Sequence, residues 1–287
     1  MNKTIALLTD FGNDDIYVGV MKGVMHGICP DANFIDITHT VAPQHVREAA
    51  FSLMNAYHYF PKGTIFLVVV DPGVGSTRRP IAVQAEDYTF VAPDNGVLSY
   101  ALKDVDSVQI AELNNPAYHL SQVSNTFHGR DIFSPAAAHL AAGVPLHELG
   151  DLNDSMIQLP LPELSVDQRR VTGEVVHIDR FGNIITSIGH LHWIAPDRIT
   201  LNPVFGSINN TVPINPENAQ ITINNEQILS VKVSYSESMR GDLLAIVGST
   251  NYLEISVNQG NAAQRLDVAV GDRVEMSLGD IDAAIRH

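Results

Sequence analysis

The run Thr64 to Val70 is apolar from its second residue to its last and then stops at a carboxylate, Asp71. A strand with apolar side chains on both faces has to be covered on both, as in the centre of a sheet with helices above and below it. Thr4 to Thr9 repeats the pattern and stops at Asp10-Phe11-Gly12. Asp14 to Gly27 follows, with Val18, Met21, Val24 and Met25 at helical spacing, then a strand at Phe34 to Thr38 ending at His39. A helical segment from Val46 to Phe60 is stopped by Pro61-Lys62-Gly63. Alternating strands and helices of this kind predict an α/β/α layer around a mostly parallel sheet.

Ile81 to Glu86 and Tyr88 to Val91 read as further strands, and Pro93-Asp94-Asn95-Gly96 as a turn before a helix through Leu102. Asn125 to Arg130 leads into an alanine-rich helix, Asp131 to Ala142, with Asp131 placed to stabilise its start. A proline-bearing link, Leu159 to Gln168, separates this half from a stretch where the helical period disappears after Val171. There the predicted strands are Gly173 to Asp179, Asn183 to Ile188, Gln220 to Ile223, Ile228 to Ser234, Leu243 to Val247, Tyr252 to Val257 and Arg273 to Ser277. Asn202 to Asn218, rich in Pro, Asn and Gly, reads as a surface loop. The expected fold class is α/β: an N-terminal α/β domain over residues 1–165 and a C-terminal antiparallel β-barrel domain over 170–287.

Charge narrows the partners. With a net charge of −15 and only 17 Lys and Arg in 287 residues, the chain lacks the basic clusters a nucleic acid requires. Cys29 is the only cysteine, which rules out an intrachain disulfide, a CxxC pair and a thiolate zinc site, and points to the cytoplasm. The N-terminus does not read as a signal peptide, and no apolar stretch approaches the roughly 18 residues of a membrane helix, so no membrane partner is expected.

The strand ends of the first half bring Asp10, His39 and Asp71 to one rim, with Asp94-Asn95 as a possible fourth. Asp14 and Asp94 are read as helix caps or turn holders. Gly73 and Gly75 invite a phosphate loop, but GxxxxGK[ST] is absent and Arg78 breaks GxGxxG. No GxSxG elbow occurs. An oxygen-rich metal cluster of Asp10, Asp71, Asp94 and His128 is set against the lack of HxxxH or HEXXH pairs, and no metal is expected.

Four motifs taken in order narrow the reading further: Thr9-Asp10-Phe11-Gly12, Asp71-Pro72-Gly73-Val74-Gly75-Ser76-Thr77-Arg78, Phe127-His128-Gly129-Arg130-Asp131 and Asp179-Arg180-Phe181-Gly182-Asn183. With them the chain resembles the S-adenosyl-L-methionine hydrolases, also called SAM hydroxide adenosyltransferases, relatives of the fluorinase and chlorinase. The resemblance runs from Thr9 to about Asn258. It implies a homotrimer in which the substrate lies between the N-terminal domain of one subunit and the C-terminal domain of its neighbour. Water displaces methionine from the 5′ carbon to give adenosine and L-methionine, without a cofactor. The family is associated with removal of the inactive (R)-sulfonium epimer.

Residue by residue, the resemblance implies that Asp71, Arg78 and His128 are the catalytic set, and that Asp10, joined by Asp71, holds the ribose hydroxyls. It puts Asp179 on the methionine ammonium and Phe181 on the pocket wall, with Asn183 on adenine. Tyr235, Ser249, Glu254 and the Val257 backbone are further adenine-side contacts. The halogenases carry tyrosines at the positions of Asp71 and His128, a tryptophan at Gln44, an arginine at Val257 and, in the fluorinase, an extra loop after Ile81 to Gln84. This chain has neither the tyrosines nor the extra loop, which favours hydrolysis over a halide-dependent adenosyltransferase, while Gln44 and Val257 weaken the transfer of individual contacts from the halogenases. A non-catalytic adenosine- or SAM-binding protein is the alternative of a different class. A sulfonium leaves as a neutral thioether, so the chemical demand falls on the attacking water, whose pKa is about 15.7. Arg78 stays protonated and can stabilise developing hydroxide, leaving Asp71 or His128 to accept or relay the proton.

Overall fold

The computed structural model describes residues 3–167, 169–206 and 210–279. The chain divides into two compact units between Leu159 and Pro160.

The first unit holds strands β1 (Thr4–Thr9), β2 (Asn33–Thr38), β3 (Ile65–Val69), β4 (Pro80–Ala85), β5 (Tyr88–Pro93), β6 (Val108–Glu112) and β7 (Leu152–Asn153). Its helices are α1 (Tyr17–Ile28), α2 (Val46–Ala56) and α3 (Ser134–Ala141). The strands form one sheet in the order β2-β1-β3-β5-β4-β6-β7. The first four run parallel, while β4 is antiparallel to both of its neighbours. Alternate residues of the central strands feed opposite cores. Ile5, Leu7, Ile65, Leu67 and Val69 pack with Met21 and Met25 of α1 and with the alanines of α3. Ala6, Leu8, Phe66, Val68 and Val70 pack with Ala49 and Leu53 of α2. This is the doubly covered sheet that the apolar runs require.

The connections from β1 lead outward through α1 to β2 and back through α2, on the opposite face, to β3. The strand order therefore reverses between β1 and β3, and the crevice beyond their carboxyl ends is where an open α/β sheet binds ligands. Thr9 pairs with Val69, so Asp10 and Asp71 leave the sheet side by side.

Several local expectations are corrected. No helix follows Gly96. Ser99 Oγ donates to the Gly96 carbonyl at 2.6 Å and Asn95 Oδ1 accepts from Val97 N, so the backbone is held in successive turns. The helix read from Asp131 opens with a π turn over Gly129–Phe133 before α3 begins at Ser134. The Asp131 carboxylate is turned away from that helix, toward Arg130 and the Ser124 backbone. The helix read from Asp14 begins at Tyr17, and Asp14 does not cap it. The helix read through Phe60 gives way to a 3₁₀ turn at Tyr57–Tyr59.

The second unit is built from β8 (Leu164–Val166), β9 (Arg170–Ile178), β10 (Ile184–Gly189), β11 (Leu191–Ala195), β12 (Arg198–Leu201) and β13 (Val212–Ile214). It continues with β14 (Gln220–Ile223), β15 (Glu226–Leu229), β16 (Leu243–Val247), β17 (Tyr252–Val257), α4 (Ala262–Leu266) and β18 (Arg273–Ser277). Its main sheet is antiparallel, in the order β15-β14-β18-β9-β10-β17-β16, with β8 against β9. Lys232, just beyond β15, bridges to β16, its N–H donating to the Ala245 carbonyl at 2.8 Å. The two ends of the sheet are thereby drawn into a nearly closed barrel, which removes its open edges. The segment read as a loop, Asn202 to Asn218, contains β13, which completes a separate sheet β11-β12-β13; its residues 207–209 lie outside the described residues. The strand read from Ile228 to Ser234 ends at Leu229.

Candidate active site

β3 ends in the core and hands Asp71 to the rim of the sheet, where Asn95 Nδ2 donates to the Val70 carbonyl at 2.8 Å and fixes the exit of the strand. The chain then bends through Gly73 and Gly75 and returns Arg78 to the carboxylate it has just left. Ser76 closes the bend, its Oγ donating to the Gly73 carbonyl at 2.6 Å and accepting from Arg78 N at 3.2 Å. Arg78 forks onto Asp71, Nε to Oδ1 at 2.9 Å and Nη2 to Oδ2. The Asp71 and Arg78 side chains are 6% and 8% exposed, so this charged pair sits in a water-poor place where its field is little screened. Beneath it, the Arg78 guanidinium lies 5.2 Å from the Phe133 ring centroid.

His128 arrives from another loop and meets the same guanidinium, its Nδ1 2.8 Å from Arg78 Nη2. Two contacts hold that loop in place. Gly75, at φ 76°, packs so closely on it that a Cβ would stand 2.3 Å from the Asn125 carbonyl oxygen. The wholly buried Asp131 carboxylate accepts from Ser124 N at 2.8 Å and from Arg130 Nε at 2.6 Å. Burial lowers the His128 pKa from its ordinary value, and the Arg78 charge pushes it the same way. Asp71, Arg78 and His128 are thus brought together as one hydrogen-bonded set.

Asp10 stands beside this set at the end of β1 and accepts from Gln44 N at 2.8 Å. Two other rim groups are structurally occupied. Asp94 accepts from Arg79 Nε at 3.0 Å and from Ile157 N at 2.7 Å. His39 contacts Thr9 and Asp36. Among the described residues, no group of three or more His, Cys, Asp and Glu side chains is arranged to hold a metal ion, so Asp10, Asp71, Asp94 and His128 do not assemble as one.

In the second unit, the loop between β9 and β10 folds around the Asp179 carboxylate, which accepts from Phe181 N at 2.8 Å, Asn183 N at 2.9 Å and Asn183 Nδ2 at 2.9 Å. This leaves Phe181 projecting, 73% exposed. Asn183 reaches Tyr235, whose hydroxyl donates to Glu254, and Ser256 Oγ donates to the same carboxylate at 2.8 Å. The Tyr235 phenol is pushed up to about 12, first by burial and then by its bond to Glu254, so it is a fixed donor near neutrality. Ser249 lies in the turn between β16 and β17, while Val257 pairs with Leu243 at the far end of that hairpin, so neither joins this chain of contacts directly. Asn258, next to Val257, does bond the Tyr235 and Ser238 carbonyls, at 3.2 and 2.8 Å. Asn258, Ser256 and Asp131 in its loop-holding role were not singled out from sequence. Only Asp131 carried a signal, an acid conspicuous within an otherwise apolar helical stretch.

Residues 5–150 match the N-terminal domain of SAM hydroxide adenosyltransferases and residues 173–275 match the C-terminal domain. The chain belongs to the SAM hydroxide adenosyltransferase family. Within it, an (R)-S-adenosyl-L-methionine hydrolase of Salinispora tropica is 36% identical over 96% of this chain and 98% of its own length. A fluorinase of Nocardia brasiliensis, also matched over 96% of this chain, is more distant at 27% identity. The crystal structure of an uncharacterized conserved protein from Thermotoga maritima superposes with a TM-score of 0.82 at 37% identity, covering 95% of this chain and 99% of that one. Among the described residues, no helix is long and apolar enough to cross a membrane.

Proposed function

We propose that this protein hydrolyses S-adenosylmethionine, preferring the (R)-sulfonium epimer, to adenosine and L-methionine by attack of an activated water on the 5′ carbon. The observation that carries this reading is the buried fork of Arg78 on Asp71, with His128 on the same guanidinium. A neutral thioether leaves without a proton, so the site needs no acid at the leaving group. It needs a place where hydroxide character is tolerated, and a fixed guanidinium in a water-poor cleft supplies that. Asp71 and His128 hold the guanidinium in place, and the Asp71 carboxylate keeps lone pairs beyond the two that Arg78 engages, through which the water proton leaves.

Asp10 accepts the ribose hydroxyls. Asp179, Phe181, Asn183, Tyr235, Glu254, Ser249 and the Val257 backbone receive the methionine and adenine ends. A homotrimer is the proposed assembly, the water-activating unit of one copy working with the adenosyl-binding unit of a neighbour. The exposure of Phe181 and Tyr235, 73% and 39%, supports surfaces that a ligand and a second copy would cover. The cytoplasm is the proposed compartment, and the lone buried Cys29 fits a reducing one.

The test is incubation of each sulfonium epimer with the protein, in chelator-treated buffer and again with chloride, followed by chromatography. Adenosine and methionine from the (R) epimer are expected. No product from either epimer would sink the reading, and a chlorinated nucleoside would convert it to halide transfer.

A further inference from the structure

The loop that follows β2 grips the turn that carries Asp10. His39, 4% exposed, sets its ring between Thr9 and Asp36. Its Nδ1 lies 2.9 Å from Thr9 Oγ1 and its Nε2 3.0 Å from Asp36 Oδ1. The second pair lies within ion-pair distance but is not aligned as a hydrogen bond. The other Asp36 oxygen accepts from Lys22 Nζ at 2.7 Å. Thr9 Oγ1 also accepts from Phe11 N at 3.3 Å, and Gly12 N donates to the His39 carbonyl at 2.7 Å. Asp10 lies between these two anchors, and its carboxylate accepts from Gln44 N, further along the same loop, where Gln44 takes φ 68°.

His39 Nε2 faces a carboxylate, where a bare lone pair would be repelled, so in the neutral ring Nε2 carries the hydrogen and Nδ1 is the acceptor. The Thr9 hydroxyl then gives its single hydrogen to Nδ1 and keeps its lone pairs for Phe11 N–H. An acid, a histidine and a hydroxyl in line resemble a nucleophile triad, but Thr9 is wholly buried and its oxygen is engaged by Phe11 N–H, so it cannot reach a substrate atom. What the chain of contacts does hold is the turn, at Thr9 on one side of Asp10 and at Gly12 on the other.

We propose that His39, through Thr9 and Asp36, is a positioning residue that presents the Asp10 carboxylate to the substrate's ribose hydroxyls. This rests on the role given to Asp10 above. Loosening the turn would weaken a contact made equally in the ground and transition states, so it would raise KM and leave kcat nearly unchanged.

The test compares Thr9→Val, Thr9→Ser and His39→Leu, with steady-state kinetics on S-adenosylmethionine and calorimetry with adenosine. Thr9→Val is expected to raise KM and the adenosine Kd about three- to tenfold, the value of one hydrogen bond, with kcat within about twofold. His39→Leu is expected to exceed that, and Thr9→Ser, which keeps the hydroxyl, to restore wild-type values. Thr9→Ala, which puts no methyl against the imidazole, gives the same readout should the valine variant not fold. A lowered melting temperature with unchanged KM and Kd in the valine and leucine variants would overturn the proposal, as would a fall in kcat alone. Wild-type protein that binds adenosine without turnover would defeat the hydrolase reading, while the Kd ratios among the variants would still decide this one.

Discussion

Arg78 Nη2 donates to His128 Nδ1 at 2.8 Å, which requires that nitrogen to keep its lone pair. A protonated imidazole would face the guanidinium with a second hydrogen and a second positive charge. Burial and Arg78 both lower the pKa of His128 from its ordinary 6.5, so the neutral, bonded form persists below that pH in the folded protein. By linkage, its contribution to stability is complete above 6.5 and is lost as pH falls through the lowered value. The expected kcat profile has an acid limb with its midpoint below 6.5. A pH series on wild type and His128→Asn checks this: the variant should be slow and lack the limb, and a midpoint above 6.5 in wild type would contradict the arrangement.

Arg78→Lys keeps the charge and loses the geometry. One ammonium cannot span both Asp71 oxygens and reach His128. The expected outcome is a fall in kcat of about 100-fold or more, the size seen when a fixed stabilising donor is removed, with KM changed little. Steady-state kinetics decide it, and a variant of near wild-type kcat would mean that charge without orientation is enough.

Gly75→Ala tests whether the two catalytic loops must touch. At φ 76° the added Cβ is strained, and at 2.3 Å from the Asn125 carbonyl it pushes the His128 loop away from Arg78. Gly143, at φ 97° with nothing within 4 Å of an added Cβ, provides the control for strain alone. Both alanine variants should lose about 1 to 3 kcal/mol of stability in denaturant melts. Only Gly75→Ala should also lose most of its turnover.

The Asp71 and Asp10 ends of this site were legible because they terminate long apolar strands whose two-faced burial admits few folds. Arg78 was legible because glycines surround it, and His128 because its motif resembles a family's. The π turn at Gly129–Phe133 was not. Its alanine-rich continuation has an ordinary helical period, and the bond from Ser124 N to Asp131, seven residues apart, leaves no mark on that period. The turns after Gly96 were misread because Val97, Leu98, Ala101 and Leu102 mimic helical spacing while packing under the sheet. The hairpin of β11 and β12 is short, alternates weakly and closes on Pro196-Asp197, so its strands fell below the level of a pattern. Asn258 and Ser256 are invisible in principle, since nothing along the chain says that they meet Tyr235 and Glu254.

Asp131→Asn should uncouple that loop. Burial alone would raise this carboxyl, but its bonds to Arg130 and Ser124 outweigh burial and hold its pKa below the usual 3.8. Its contribution is therefore present above that range and lost as pH falls through the lowered value. The Arg130 side chain is 36% exposed and can turn to water, so the loss falls mainly on the buried bond from Ser124 N to the carboxylate. The expected result is a lower melting temperature at neutral pH, a smaller difference from wild type toward pH 3, and a reduced kcat as His128 loses its seat. A melting curve that matches wild type at pH 7 would remove Asp131 from that role.

Tyr235→Phe isolates the adenosyl-binding side. The phenol donates to Glu254 and lies 3.5 Å from Asn183 Nδ2, so it joins the β9–β10 loop to β17. With its pKa at about 12, the hydroxyl keeps its proton throughout the working range, and its contribution should not change between pH 6 and 10. Removing it frees the Glu254 carboxylate and the Asn183 amide to turn away from the ligand. Adenosine Kd in calorimetry should rise about three- to tenfold, one hydrogen bond's worth, while kcat at saturating S-adenosylmethionine changes little. Because this residue and Arg78 belong to different units of the chain, the Tyr235→Phe and Arg78→Lys effects on kcat/KM should multiply, and a strong departure from that product would show that adenosyl binding also sets the geometry of the water-activating group.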